Sequence, residues 1–500
     1  MKRKILASAV ALVMGTMAAH ASTILDGTKD QLRANGMIVQ DRNSMSAYVD
    51  CLVSDAEVCQ NYANTSLLYS GNLFPCAVDG CNEAGPGMPI ELPGSEPIEF
   101  KASATWTIET NEAMVMYGIL PPGVTHFGYE TLVYERSESE IPNPGGKTPL
   151  QEGENPPDKK RVNGVIIDAA VGETRNEFTM KNVPNPDALG EGQVFVHIAT
   201  PNQLLAAKIK QAFIDNGYPE EGINIKGLPE KHFTFSNDPA IGDSFRTIGR
   251  FARPFESEDA VMDWTSSKPV QLMRVTANED TGYIPFPVEE EIDRLTGRQE
   301  LKPWQRDNYR KWLRETKHEY GRYDASAVIK ARDYSAEHCI ETGSYCWGNN
   351  LDALYVDIND PETDKMMIVD FSNPDSQLVI TGVDHVATNY AKFWNFGFYH
   401  PETGRAIATI DFDKVQLQEY DNRRPNPRKP VTFIERSADK NFFRLAVKSD
   451  CTGVNNCFEV DTSQSDGKFK IMMRTYVNPQ TGTGPDFSEV VNPEFWVYKN

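Results

Sequence analysis

The clearest hydrophobic pattern is a nearly continuous apolar stretch from Gln193 to Ala199, followed by Leu204, Leu205, Ile209, Ala212 and Phe213 at helical spacing. Thr200-Pro201-Asn202-Gln203 supplies an N-cap, a proline at the first helical position and a capping-box partner, and Gly217 and Pro219 stop the helix. Ile223-Asn224-Ile225 reads as the next strand, so this segment predicts a β-α-β unit. Upstream, apolar runs from Met114 to Leu120 and from Tyr129 to Tyr134 flank Pro121-Pro122-Gly123 and predict two strands joined by a loop. Downstream of Cys339, strands are expected at Leu354-Tyr355-Val356, Lys365 to Phe371, Gln377 to Gly382, Trp394 to Tyr399 and Phe442 to Val447. Between these regions, Glu289 to Arg322 is charged and helical in pattern, with Trp304, Trp312 and Leu313 as its buried positions.

Val115-Met116-Tyr117-Gly118, a polar loop and Leu132-Val133-Tyr134 echo Val379-Ile380-Thr381-Gly382, a polar loop and Gly397-Phe398-Tyr399. Such an echo suggests an internal duplication. The expected fold is α+β: mainly antiparallel β-sheet in two β-rich halves, one β-α-β unit and a helical connecting segment. The expected divisions are a signal peptide over 1–21, an irregular disulfide-stapled region over 22–100, an α/β-containing first half over 101–285, the helical connection over 286–335 and a β-rich second half over 336–500.

Met1 to Ala21 combines Lys2, Arg3 and Lys4 with an apolar run from Ile5 to Ala18 and the small-residue site Ala19-His20-Ala21, the pattern of a cleavable signal peptide. The run is shorter than the roughly 20 residues a spanning helix needs, so no membrane insertion is expected. Export to the periplasm or the medium places the chain where disulfides form. Its cysteines fall in four close pairs, Cys51 with Cys59, Cys76 with Cys81, Cys339 with Cys346 and Cys451 with Cys457, and bridging within each pair is the expected pattern. A formal net charge of −21 repels phosphate backbones and argues against a nucleic-acid partner. The sequence has no phosphate-binding glycine loop, dinucleotide fingerprint or His-Glu-x-x-His helix, so it names no cofactor and no metal site.

Candidate chemistry centres on Asp384-His385, which follows a predicted strand in a loop with Thr388, Asn389 and Tyr390. A histidine beside a carboxylate can serve as a general base near neutral pH. His126 stands in the corresponding loop of the first half, so symmetric packing would bring both histidines to one site. In Trp347-Gly348-Asn349-Asn350-Leu351-Asp352, the Asn350 amide can donate to an oxyanion. The expectation is an extracytoplasmic hydrolase with His385 as base or acid, Asp384 and Asn350 as orienting groups and His126 as a second contributor. Arg246, Trp347, Asn389 and Tyr390 would hold a small-molecule substrate. The alternative is a non-catalytic protein that binds a ligand or a surface, with Trp347, Trp394 and Tyr390 as contact residues. Arg246, Arg250 and Arg253 recur every three or four residues and can clamp a carboxylate or phosphate. His197, near the carboxyl end of its strand, occupies a position where open α/β sheets bind ligands and where core histidines also occur.

Gly242-Asp243-Ser244-Phe245, Gly348-Asn349-Asn350 and Asp384-His385 come in the order of the Gly-Asp-Ser nucleophile, Gly-x-Asn and Asp-x-x-His blocks of a lipase/esterase group, which they resemble. The resemblance covers these three blocks and implies hydrolysis. It departs from the group in that Asp384 adjoins His385 and no hydrophobic strand precedes Gly242.

Overall fold

The computed structural model describes residues 23–41, 45–50, 67–75, 102–103, 105–121, 123–137, 164–185, 192–238, 241–252, 263–264, 269–331, 336–342, 346, 348–413, 434–454, 457–463 and 465–498. The signal-peptide residues, Cys51, Cys59, Cys76, Cys81, Arg253 and Trp347 lie outside the described residues.

The first half supplies β1 (Ile38–Gln40), β2 (Met45–Asp50), β3 (Leu67–Pro75), β4 (Ala102–Ser103), β5 (Thr105–Trp106), β6 (Glu112–Ile119), β7 (Phe127–Ser137), β8 (Gly164–Ala170), β9 (Arg175–Asn176), β10 (Val183–Pro184), β11 (Gln193–Thr200), β12 (Ile223–Gly227), β13 (Ser244–Ala252) and β14 (Val270–Thr276). The second supplies β15 (Ala325–Ser326), β16 (Val328–Ala331), β17 (Ala353–Asn359), β18 (Val369–Asp370), β19 (Gln377–Val383), β20 (Phe393–Tyr399), β21 (Ala406–Asp413), β22 (Glu435–Arg436), β23 (Phe442–Lys448), β24 (Cys457–Glu459), β25 (Lys468–Tyr476) and β26 (Glu494–Tyr498). Helices are α1 over 23–34, α2 (Gln203–Asp215), α3 (Pro303–Tyr320) and α4 (Ala336–Thr342).

Each half is a sandwich of two sheets. In the first, an outer sheet runs β1-β14-β6-β11-β10 with β12 on β11, and an inner sheet runs β2-β3-β13-β7-β8. Met114, Met116, Phe195 and Leu272 of the outer sheet meet Tyr129, Val133, Phe245 and Phe251 of the inner one. In the second, the outer order is β15-β26-β19-β23-β22 with β24 on β23, and the inner order is β16-β17-β25-β20-β21. The inner sheets then stack on each other through Leu67, Tyr69, Leu132 and Ile248 on one side and Ala353, Phe393 and Tyr476 on the other. Helices cover the outer sheets: α1 and α2 through Leu25, Leu32, Ile209 and Phe213, and α3 through Tyr309 and Trp312. Every sheet is thus buried on both faces, which is why its strands read as continuous apolar runs instead of alternating ones.

Along the main path of each sheet the halves share one order, and the parallel ladders β11–β12 and β23–β24 beside it correspond as well. Gly118 and Gly382 hold equivalent places, opposite Phe195 and Phe443. A Cβ on either would lie 2.9 Å from Val270 or Pro493 at the start of the neighbouring strand, a close approach that only glycine leaves open. The sequence echo is displaced at its far end. With Phe245 and Arg250 of β13 matched to Phe469 and Arg474 of β25, the ladders equate Leu132, not Tyr134, with Tyr399.

Other expectations shift for local reasons. The stretch 22–100, read as irregular, contributes α1, β1, β2 and β3; Gly71 and Asn72 are accommodated inside β3, where Asn72 donates to the Thr247 carbonyl at 3.0 Å. The N-cap of α2 is Asn202 instead of Thr200, because β11 continues through Thr200 and the Asn202 side chain accepts from Leu204 N and Leu205 N. The helical connection is shorter than its charge pattern suggests. Residues 287–302 form an extended strap without regular structure, helix begins only at Pro303, and Trp304 is 57% exposed, not buried. Proline at the first helical position sets that start. Cys339–Cys346 and Cys451–Cys457 are bridged, with Cα separations of 6.0 and 5.6 Å, which fits an oxidising compartment. The second bridge closes the β23–β24 connection, where the first half has α2. No helix among the described residues is long and apolar enough to cross a membrane.

Candidate functional site

Asp384 and His385 lie in the loop after β19, both fully buried. The Asp384 carboxylate accepts from Val386 N at 3.1 Å and from Trp394 Nε1 at 3.0 Å, and pairs with Arg436. His385 Nδ1 lies 2.8 Å from Glu300 Oε1, and its ring packs edge-on against Trp394 with centroids 4.8 Å apart. Glu300 belongs to the strap; it also accepts from Thr388 Oγ1 at 2.6 Å and from Val491 N at 2.8 Å. Tyr390, buried nearby, donates to the Arg298 carbonyl at 3.0 Å and bonds Glu489, which holds Thr296 N at 2.9 Å. Asn389 is exposed on the same loop with φ 59°. The loop therefore clasps the strap to the second half.

His126 is used elsewhere. It too is fully buried, with Nδ1 2.9 Å from Glu177 Oε2, Nε2 3.8 Å from Asp352 Oδ2 and its ring against Tyr476. Trp394 faces the core of the second sandwich, whereas Phe393 and Tyr476 face the seam between inner sheets. The two histidines consequently sit in separate layers, and no hydrogen bond or ion pair joins them. Asn350 does meet the His126 cluster: its Oδ1 accepts from Thr174 Oγ1 at 3.2 Å and from Asp352 N at 2.9 Å. Asp352 Oδ1 in turn accepts from Asn176 Nδ2 at 2.5 Å. Gly348 and Asn349 complete the seam, Gly348 O accepting from Arg250 Nη2 at 2.7 Å and Asn349 Oδ1 from Ala170 N at 2.8 Å. Arg246 pairs with Asp168 and lies over the Tyr134 ring.

The residues of the lipase/esterase-like blocks do not converge. Asp243 Oδ2 accepts from Thr234 N at 3.0 Å and faces Arg136, and Ser244 opens β13 of the first half. Asp384 and His385 are engaged by Arg436, Trp394 and Glu300 of the second half and the strap.

Buried charges concentrate beside the seam, and several of them, Glu130 and Lys226 among them, were not singled out by sequence reading. Glu130 on β7 is fully buried, bonded by Thr174 Oγ1 and 3.8 Å from Arg250 Nη1. Burial pushes its carboxyl up to about 7, against the pull of Arg250 and Thr174. Asp352 is raised well above the usual carboxylate range by burial and then by Glu130. For Glu177, burial acts upward, but the His126 imidazole and the Lys392 ammonium outweigh it and bring the carboxyl to about 2. Next to this cluster, Lys226 on β12 and Arg175 on β9 grip Glu289 of the strap, at 2.6 and 2.8 Å. His197 on β11 is buried among Arg175, Lys226 and Glu289, and burial, then Arg175 and Lys226, lower its pKa to about 3. The available signal was a charged residue inside an apolar strand, as in Tyr129-Glu130-Thr131-Leu132 and Ile223-Asn224-Ile225-Lys226.

An open groove of about 400 Å³ lies beside β12, lined by Lys181, Lys210, Glu220, Glu221, Ile223 and Ile225. It includes none of the predicted catalytic residues. Among the described residues, no group of three or more His, Cys, Asp or Glu side chains has the geometry of a metal site.

No family model and no curated protein matches the chain. Among solved structures, the chain is similar to an uncharacterized protein from Burkholderia cenocepacia at 11% identity and a TM-score of 0.38, over 96% of this chain and 87% of that one. It is also similar to the VPA0106 protein from Vibrio parahaemolyticus at 9% identity and a TM-score of 0.33, over 79% of this chain and 88% of that one.

Proposed function

We propose that the chain is a non-catalytic binding protein of an oxidising, extracytoplasmic compartment, exported to the periplasm or medium by residues 1–21, whose partner is a small molecule or a surface ligand instead of nucleic acid. The observation that carries this reading is the burial of His385, Asp384, His126 and Asn350. A general base must reach a substrate proton directly or through one water. Here both imidazoles instead bond carboxylates that fasten the strap and the seam. Their chemistry is structural support for the surfaces that bind.

The test is His385→Asn in the mature protein. Removing a buried partner of a hydrogen-bonded carboxylate should lower unfolding stability by roughly 1–3 kcal/mol. Ester, amide and glycoside substrates should not be turned over by either form. A substrate cleaved by the wild type and spared by a folded His385→Asn variant would sink the binding reading and restore the hydrolase.

A further inference from the structure

We propose that Arg175, Lys226 and Gly172 form a carboxylate-binding cradle, closed in the free protein by the Glu289 side chain of the strap and opened to a small carboxylic acid ligand when the strap lifts. The inference rests on the binding reading and names the ligand class. Glu289 is held at both oxygens, Oε1 2.8 Å from Arg175 Nη2 and Oε2 2.6 Å from Lys226 Nζ. That is a two-cation grip on one carboxylate. Gly172, at φ 59°, floors the cradle: a Cβ there would run into the Glu289 carboxylate and lie 2.8 Å from Lys226 Nζ. Beside it His197, 3% exposed, has neither ring nitrogen hydrogen-bonded. A buried imidazole next to an anion seat can hydrogen-bond a bound carboxylate.

Host and guest differ in how they are held. The Lys226 side chain is 1% exposed and anchored by donating to the Glu173 carbonyl at 2.8 Å, whereas Glu289 is 32% exposed. The strap has no regular structure and turns Val288 and Leu295 to solvent. Near Glu289 it is attached inward by polar contacts such as Ile292 N to Glu173 Oε1 at 2.8 Å, its buried apolar anchor, Leu301, lying at its far end. The cations thus belong to the sandwich and the carboxylate to a peripheral segment. Leaving Lys226 buried without a counter-charge would be strongly unfavourable, so the cradle must hold either Glu289 or another anion. Glu289 acts as an internal competitor, and an external carboxylate gains apparent affinity when that competitor is removed.

The experiment titrates the mature wild type, Glu289→Ala and Glu289→Ala/Arg175→Gln with sodium succinate by calorimetry, against sodium chloride at equal ionic strength. Glu289→Ala should bind succinate at least tenfold more tightly than the wild type, and the added Arg175→Gln should abolish that binding. In parallel, trypsin cleavage of the wild type at Arg294 should accelerate with succinate and not with chloride. A salt bridge that only anchors the strap would show no such acceleration. The proposal is overturned if Glu289→Ala binds succinate no better than the wild type, if binding survives Arg175→Gln, or if cleavage is unchanged. Such a failure would leave the binding reading standing, since that reading falls to substrate turnover and not to the succinate titration.

Discussion

The buried Glu130 makes a sharp prediction about pH. Its folded pKa of about 7 against an ordinary 4.5 means that the folded chain holds a proton on this carboxyl which the unfolded chain has released. Stability from this group is therefore fully present below pH 4.5 and declines as pH rises to 7. The displacement of roughly 2.5 units corresponds to about 3 kcal/mol at 1.36 kcal/mol per unit. Arg250, at 3.8 Å, does not reverse the sign, because the loss of hydration outweighs its attraction and that of Thr174. Glu130→Gln keeps the shape and an acceptor for Thr174 while removing the ionisation.

Urea unfolding of wild type and Glu130→Gln, followed by tryptophan fluorescence, should give nearly equal stabilities at pH 5. At pH 8 the variant should be more stable by about 2–3 kcal/mol. The difference between the two proteins cancels Glu177, which shifts in the opposite direction, and includes the part of the Asp352 shift that Glu130 causes, which acts in the same direction. A difference that does not change with pH would refute the argument. So would a variant that loses ground as pH rises, which would mean that the Arg250 pair, not burial, sets the energy.

Three further outcomes are expected. His197→Leu should stabilise the protein by about 2 kcal/mol at pH 5 relative to pH 8, because the folded pKa of about 3 lies below the ordinary 6.5 and wild-type stability is lost as pH falls through that window; thermal melts at both pH values check it. Gly118→Ala and Gly382→Ala should each lower stability by roughly 1–3 kcal/mol through overpacking against Val270 and Pro493, and similar losses in urea melts would support the equivalence of these positions. Cys451→Ser/Cys457→Ser should reduce stability by about 2 kcal/mol, the chain-entropy value for so short a loop, with the far-ultraviolet spectrum unchanged.

The two-halved β architecture was legible because each sheet is buried on both faces and its strands stand out as apolar runs. The β-α-β unit was legible for a different reason: period, capping and stop signals agree over Gln193 to Ile225. The strap was not. Its acidic run from Glu289 to Glu291 resembles a helix face, yet the partners that hold it extended, Lys226, Arg175, Glu173 and Glu489, are distant in sequence. Asp384-His385 looked like chemistry because adjacency in sequence suggests a dyad, but Asp384 turns to Trp394 and Arg436 while His385 turns to Glu300. Pairing of side chains across layers is a tertiary property that no local spacing records.

The matched registers show where the two halves differ. Arg250 pairs across its ladder with Tyr69, and Arg474 with Tyr355, so the same Tyr and Arg positions face the seam from both inner sheets. On the next strand the registers equate Glu130 with Gly397. In the second half, Gly397 leaves room for the Tyr399 hydroxyl to lie over its backbone and accept from Arg474. In the first, Leu132 replaces that tyrosine, and the space beside Arg250 is taken by the Glu130 carboxylate. One arginine is thus satisfied by a phenol without a second buried charge, and the other carries an acid with a displaced pKa. Glu130 also adjoins the loop that carries Thr174, and through it β9, where Arg175 and the cradle begin. The charged features peculiar to the first half lie together at one margin of the seam. There the strap crosses, and there the two halves of the scaffold differ.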